Sequence, residues 1–224
     1  MQPLIGLTGS GFFVLIWRLE DRPLKGGIDR AARGPQTSGA SSMMQKQRSE
    51  YLSLRRSFEP AIVTLVIIAE SPPISGKYFY DPSGEVREPL FDALMKQIGI
   101  RPKTKPDGLR EFQRRGWVLV DATYEAVNAH DKRHRDSVIA RDYPELLNDL
   151  NRLLASGWNE IPLILIKANV CTLLGPKLKD SGFNVLNEGR IVYFPSTGHQ
   201  RDFNVQFREI VPQTLRCCGL SAEP

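Results

Sequence analysis

The 224-residue sequence predicts an α/β domain of three layers, αβα, with helices on both faces of a central, mostly parallel four-stranded sheet. Three observations carry the prediction. Four short apolar runs, rich in β-branched residues, show no polar alternation, as strands buried on both faces do not. Between them lie stretches of about ten residues whose apolar positions repeat at three- and four-residue spacing, the mark of an amphipathic helix. The two kinds of segment alternate, which calls for parallel strands joined by right-handed crossovers.

In order, Ala61-Ile-Val-Thr-Leu-Val-Ile-Ile68 is the first strand. Leu90, Phe91, Leu94, Met95 and Ile98 share one helical face over 89–98, and Gly99 comes next as a C-cap. A short helix over 109–115 stops at Gly116. Trp117-Val-Leu-Val120 is the second strand, ending at Asp121. A polar, charged stretch over 128–141 reads as an insertion, and a helix is expected from Pro144 to Ser156. Pro162 to Ile166 is the third strand, 170–181 a helix, Ile191-Val-Tyr-Phe194 the fourth strand, and 203–211 a final helix. Residues 1–48, dominated by Gly, Ser, Pro, Gln and Arg between 26 and 42, read as a low-complexity tail. Residues 49–224 read as one domain.

Composition narrows the function classes. Apolar content of 41% and charge of 25% are those of a globular protein with a sizeable core. No apolar run reaches the roughly 18 residues of a membrane helix, and no secretory leader is recognisable, so a cytoplasmic, monomeric protein is expected. Three cysteines, Cys171, Cys217 and Cys218, are too few for a four-cysteine metal site, and neither metal nor cofactor is expected. The net charge of +5 is concentrated in the leader. Residues 1–50 hold 7 basic and 4 acidic side chains, leaving 23 against 21 in the remainder. Contact with nucleic acid would therefore need local clusters. Candidates are Lys132 to Arg135, Arg101 with Lys103 and Lys105, and Arg114 with Arg115, each of which reads equally well as a solvated face.

Ligands of open parallel sheets bind outside the carboxyl ends of the strands, and two such ends stand out. The first strand runs into Ala69-Glu-Ser-Pro-Pro-Ile-Ser-Gly-Lys-Tyr-Phe-Tyr80, where two prolines stiffen the loop and Tyr78, Phe79 and Tyr80 offer rings for stacking or for the core. The fourth runs into Pro195-Ser-Thr-Gly-His-Gln-Arg201. There His199 and Arg201 can face a developing anion, and Ser196 and Thr197 can hold a phosphate at the start of the last helix. Asp121, closing the second strand, either faces the crevice as a base and hydrogen-bond acceptor or caps the next helix.

These segments resemble the uracil-DNA glycosylase superfamily over about residues 61–211. The family's first motif reads Gly-Gln-Asp-Pro-Tyr-His or Gly-Glu-Ala-Pro-Gly, and Ala69-Glu-Ser-Pro-Pro73 occupies its place. Glu70 matches the acid of the second form and Pro72 the shared proline. Ser71 stands where the first form has its water-activating aspartate. Phe79 corresponds to the uracil-stacking phenylalanine, and Asp121 takes the place of the base-reading asparagine. Phe194-Pro-Ser-Thr-Gly198 resembles the last motif, with Phe194 where the family has histidine.

The resemblance implies a repair enzyme that hydrolyses the N-glycosidic bond of a uracil, or related deaminated base, flipped out of DNA, leaving an abasic site. On that basis Arg201 or His199 stabilises the departing base anion and Phe79 stacks on the ring. Asp121 accepts N3–H, and also orients water or, when protonated, donates to O4. Glu70 is the alternative base for water, and Ser71, Pro72, Tyr78, Ser196 and Thr197 complete the substrate contacts. The alternatives are a non-catalytic module that binds uracil-containing or single-stranded DNA with the same pocket, and a hydrolase of free nucleosides.

Overall fold

The computed structural model describes residues 47–154, 157 and 160–217. Nearly all of the expected tail, over 1–48, and Cys218 lie outside them. Three parallel strands, β1 (Leu65–Ala69), β2 (Trp117–Asp121) and β3 (Leu163–Leu165), form a sheet of order β2-β1-β3. Every residue of the three strands is buried, which is why their sequences run apolar without alternation. The register pairs Leu65 with Trp117 through to Ala69 with Asp121, and Val66 with Leu163 through to Ile68 with Leu165. The strands therefore end almost level.

Helices cover both faces. Leu65, Ile67, Trp117, Leu119 and Ile164 pack against α1 (Arg48–Arg56), α2 (Pro89–Gln97), α3 (Lys105–Arg114) and α6 (Gln200–Ile210). Val66, Ile68, Val118, Val120, Leu163 and Leu165 pack against α4 (Lys132–Leu154) and α5 (Ala168–Asp180). A short α7 (Gln213–Cys217) comes last. Gly116 makes the sharp entry into β2 at φ +74°, and a Cβ there would lie 2.7 Å from the Ile62 carbonyl oxygen.

Three elements differ from the sequence expectation. The fourth strand is absent among the described residues, because the chain satisfies the edge of β3 piecemeal. Val185 makes a single parallel bridge to Leu163. The Asn187 side chain then stands in for a peptide group, its Oδ1 accepting from Leu165 N–H (2.8 Å) and its Nδ2 donating to Leu165 O (3.0 Å). Val192 O accepts from Lys167 N–H (2.7 Å) one step further on. Positive φ angles at Glu188 and Gly189 turn the chain away between these contacts.

The second difference is that the charged stretch over 128–141 is no insertion. From Lys132 it belongs to α4, whose buried residues Val138, Ile139, Leu146, Leu150 and Leu154 keep one helical stripe through Pro144. The third is α1, for which the sequence expectation has no element. It opens with a capping box between Gln47 and Glu50 and buries Tyr51 and Arg55.

Candidate functional site

The level strand ends place three chemically active side chains side by side. Parallel pairing continues past the sheet, with Ala122 N–H donating to Ala69 O (2.8 Å), Thr123 N–H to Glu70 O (3.1 Å) and Ile166 N–H to Ile68 O (2.9 Å). Glu70, Asp121 and Lys167 are thus the tips of β1, β2 and β3. All three line one cavity of about 280 Å³. Its other walls come from the proline loop (Ser71, Pro72, Pro73, Ser75), from Tyr78 and Phe79, from the start of α2 and from Phe194.

Glu70 is 5% exposed and held from three sides. Lys167 Nζ pairs with Oε2, Asn169 Nδ2 donates to Oε1 (2.7 Å), and Arg135 Nε lies 3.8 Å from Oε1. Lys167 reaches this place with an unusual backbone, φ +82° and ψ 132°, at the N-cap of α5. A non-glycine residue in that region costs about 1–3 kcal/mol and persists only where surrounding structure imposes it. Here the Lys167 N–H bond to Val192 O and the Nζ contact to Glu70 impose it from both ends.

Asp121 is buried, its charge is felt by the hydroxyls of Tyr51, Tyr78, Tyr80 and Tyr124, and it bonds to no cation among the described residues. Burial pushes its carboxyl up to about 7, Arg55 pulls the other way, and the charges of Asp149 and Glu70 add to the rise. Arg55, wholly buried, spends its donors elsewhere: on Asp149 through two bonds of 2.6 Å, on Tyr124 Oη (2.6 Å) and on Glu59 (2.9 Å). Asp121 also borders a second hollow of about 370 Å³, lined by Thr123, Glu125, Arg141 and Asp142 among others, in which Arg141 is bonded to Glu125 and Asp142.

The proline loop is tied to the residues before α4, since Asn128 Oδ1 accepts from Ile74 N–H (2.9 Å). Asn128 itself lines the cavity. Ser71 Oγ accepts from Val127 N–H (3.4 Å). Phe79 meets the cavity from within the core. Its ring packs edge-on against Tyr80 (4.9 Å) and Phe112 (5.1 Å) and tilts on Phe91 (5.6 Å).

Of the residues singled out by sequence, Glu70, Ser71, Pro72, Tyr78, Phe79 and Asp121 line this cavity. Arg201, His199, Ser196 and Thr197 do not. Arg201 and Thr197 are exposed, and His199 stacks on Tyr193 (ring centroids 5.0 Å) with Nδ1 3.1 Å from Asp202 Oδ2. His199 precedes α6 and its ring turns outward onto its own loop, so the loop's contribution to the cavity is Phe194. Lys167, Asn128 and Asn169 escaped the sequence reading, and Arg135, expected only as part of a basic cluster, reaches Glu70 instead. Lys167 had a usable signal, because it succeeds a buried parallel strand just as Asp121 does.

The basic clusters divide. Lys105 is buried on Glu88 Oε2 (2.6 Å), whereas Arg114, exposed, and Arg115 bond to Glu111. Lys77, on the cavity wall, and Arg133, near the start of α4, are exposed.

No protein-family model, curated protein or solved structure matches this chain. Its class rests on the fold and the cavity: a parallel α/β domain with an aromatic-walled, carboxylate-bearing site at its strand tips. No helix among the described residues is long and apolar enough to cross a membrane.

Proposed function

We propose that this chain is a DNA glycosylase that takes a uracil, or a related deaminated base, swung out of the DNA stack and hydrolyses its N-glycosidic bond, leaving an abasic site. The observation that carries the proposal is the meeting of Glu70, Asp121 and Lys167 in one cavity with Phe79 and Phe194. The cavity's 280 Å³ falls just below the ~300–1,000 Å³ of sites for drug-sized ligands, which suits a single base better than a dinucleotide.

In this scheme Phe79 and Phe194 provide ring contact, worth roughly 1–3 kcal/mol per stacked base. Ionised Asp121 accepts from N3–H. Glu70 orients a water toward C1′ of the sugar and takes its proton as the C1′–N1 bond breaks, its electron pair passing to the base. Neutralising Glu70 releases the charge of Lys167 toward the base anion, so anion stabilisation appears only as the bond breaks. Lys167 thereby takes the role expected of Arg201 or His199.

A non-catalytic base-binding module is the second reading, favoured by the engagement of both Glu70 oxygens by Lys167 and Asn169. An end-labelled oligonucleotide containing one uracil separates the two. Alkali-labile breaks at uracil, lost in Glu70→Gln, are the expected result. A shifted but intact band means binding without turnover, and neither shift nor breaks removes both readings.

A further inference from the structure

Lys167 is one of two non-glycine residues at positive φ among the described residues. Backbone strain of this kind collects at functional sites, where the surrounding contacts hold it in place. Lys167 is also the accessible one of the three strand tips. Its side chain is 27% exposed against 4% for that of Glu70, and Asp121 is 4% exposed. An amine therefore lines the cavity with a carboxylate as its immediate partner. Glu70 does not depend on that amine alone, since Asn169 Nδ2 (2.7 Å) and Arg135 Nε (3.8 Å) stay beside it whatever the charge on Lys167.

In the excision proposed above, the attacking water gives its proton to Glu70. The departing base anion can take its proton from Lys167 Nζ, so the pair passes from carboxylate and ammonium to carboxylic acid and free amine. The sugar left behind opens to an aldehyde at C1′, and aldehydes are what lysine amines attack. We propose that Lys167 is also a nucleophile, and that the protein is an abasic-site lyase which cuts the strand at the site it creates. This rests on the glycosylase reading for the source of the aldehyde and adds a second activity to it. The Nζ electron pair bonds to C1′, and the carbinolamine oxygen leaves as water with the proton that Glu70 supplies, giving an iminium between Nζ and C1′. Glu70, again a carboxylate, takes a proton from C2′. The electrons of that C–H bond form the C2′–C3′ double bond as the C3′–O3′ bond breaks, and the 3′ strand departs with its phosphate. Water then hydrolyses the iminium, leaving an unsaturated aldehyde on the 5′ strand and Lys167 as ammonium, and Glu70 returns its proton to solvent. The sequence consumes no oxidant or reductant.

Borohydride tests the iminium directly, because it reduces that bond to a permanent cross-link. The substrate is an oligonucleotide carrying a pre-formed abasic site, so no excision is needed. Wild type should cross-link to it, peptide mapping should place the adduct on Lys167, and without borohydride strand breaks should form with no alkali. Lys167→Arg keeps a cation opposite Glu70 but forms no imine, so its cross-linking should fall below about a tenth of wild type. Mapping of the wild-type adduct decides the matter even if that variant folds poorly. The cavity's other lysine, Lys77, is exposed, and an adduct mapped there would overturn the proposal. Uracil excision with no cross-link would overturn the lyase and leave the glycosylase reading standing. A cross-link at Lys167 with no uracil excision would do the reverse, and neither activity would overturn both.

Discussion

Lys167 and Asp121 each hold a state that an isolated residue would avoid, and each therefore separates function from stability. The Lys167 backbone lies where glycine is comfortable and lysine is not. Lys167→Ala and Lys167→Gly both delete the Nζ contact to Glu70, so their difference isolates the backbone. The glycine variant should be the more stable by about 1–2 kcal/mol in urea titrations, while both lose excision at least tenfold. Equal stabilities would remove strain from the account of this residue. Asp121 gives the pH dependence. Its folded pKa of about 7 stands above the ordinary 3.8, so the folded state holds a proton that the unfolded state has released. Stability should therefore fall as pH rises from about 4 to 7 and then level. At ~1.4 kcal/mol per pH unit, the full loss amounts to a few kcal/mol. Asp121→Asn should match wild type near pH 4 and melt higher at pH 8, as thermal melts across that range would record. Excision should climb through pH 7 in wild type, as Asp121 ionises, and stay flat in Asp121→Asn. Glu70 and Asp121 were legible because each closes an apolar run. Arg201 and His199 were misplaced because adjacency to a motif says nothing about which way a loop side chain turns.

Among the elements, the edge of β3 shows how a side chain can replace a strand. Asn187 gives one acceptor and one donor to the Leu165 peptide, and it is 2% exposed. Asn187→Ala should strand a buried N–H and a buried carbonyl, lowering unfolding free energy by about 2–4 kcal/mol. Denaturant titration with an unchanged m-value is the check; a loss below about 1 kcal/mol would mean that water or a shifted backbone completes the edge. The three strands of the sheet were readable because burial on both faces leaves an unmistakable apolar run. The run at 191–194 has the same composition, but only Val192 of Ile191, Val192 and Tyr193 is fully buried. A four-residue pattern cannot distinguish an edge strand from a loop with one anchor. Pro144 misled for a related reason. Proline marks a helix start more often than a helix interior, yet the stripe from Ile139 to Leu154 outweighs one missing hydrogen bond. The α1 helix went unseen because its packed face includes an arginine, whose burial becomes favourable only once Asp149 arrives from α4 to join the local partner Glu59.

For the molecule as a whole, the count of basic residues overstates the positive charge free to meet an acidic partner. Arg55, Lys105, Arg114, Arg115, Arg141 and Arg152 are all bonded to carboxylates within the domain. On the cavity wall Lys77 is an exposed cation, and Arg133 is exposed near the start of α4, the helix whose Arg135 reaches Glu70. A separate basic hollow, lined by Lys96, Arg101 and Arg208 among others, sits at the far end of α2. The opening residues of that helix, Pro89 to Phe91, wall the cavity, so the nine-residue helix separates the two sites by about 13 Å. On the proposed function, a strand of DNA threading its base into the cavity would pass Lys77 and the start of α4, whereas Arg101 and Arg208 line the hollow at the other end of α2. Binding of a uracil-containing oligonucleotide, measured from about 50 to 200 mM salt, should therefore lose about one unit of log–log slope in each of Lys77→Ala and Arg133→Ala. That loss should be equal for oligonucleotides with and without uracil, because phosphate contacts carry no base identity. Arg208→Ala should leave the slope unchanged. The reverse pattern, a slope that tracks Arg208 and ignores Lys77, would place the nucleic acid on the opposite end of the sheet and separate it from Glu70, Asp121 and Lys167.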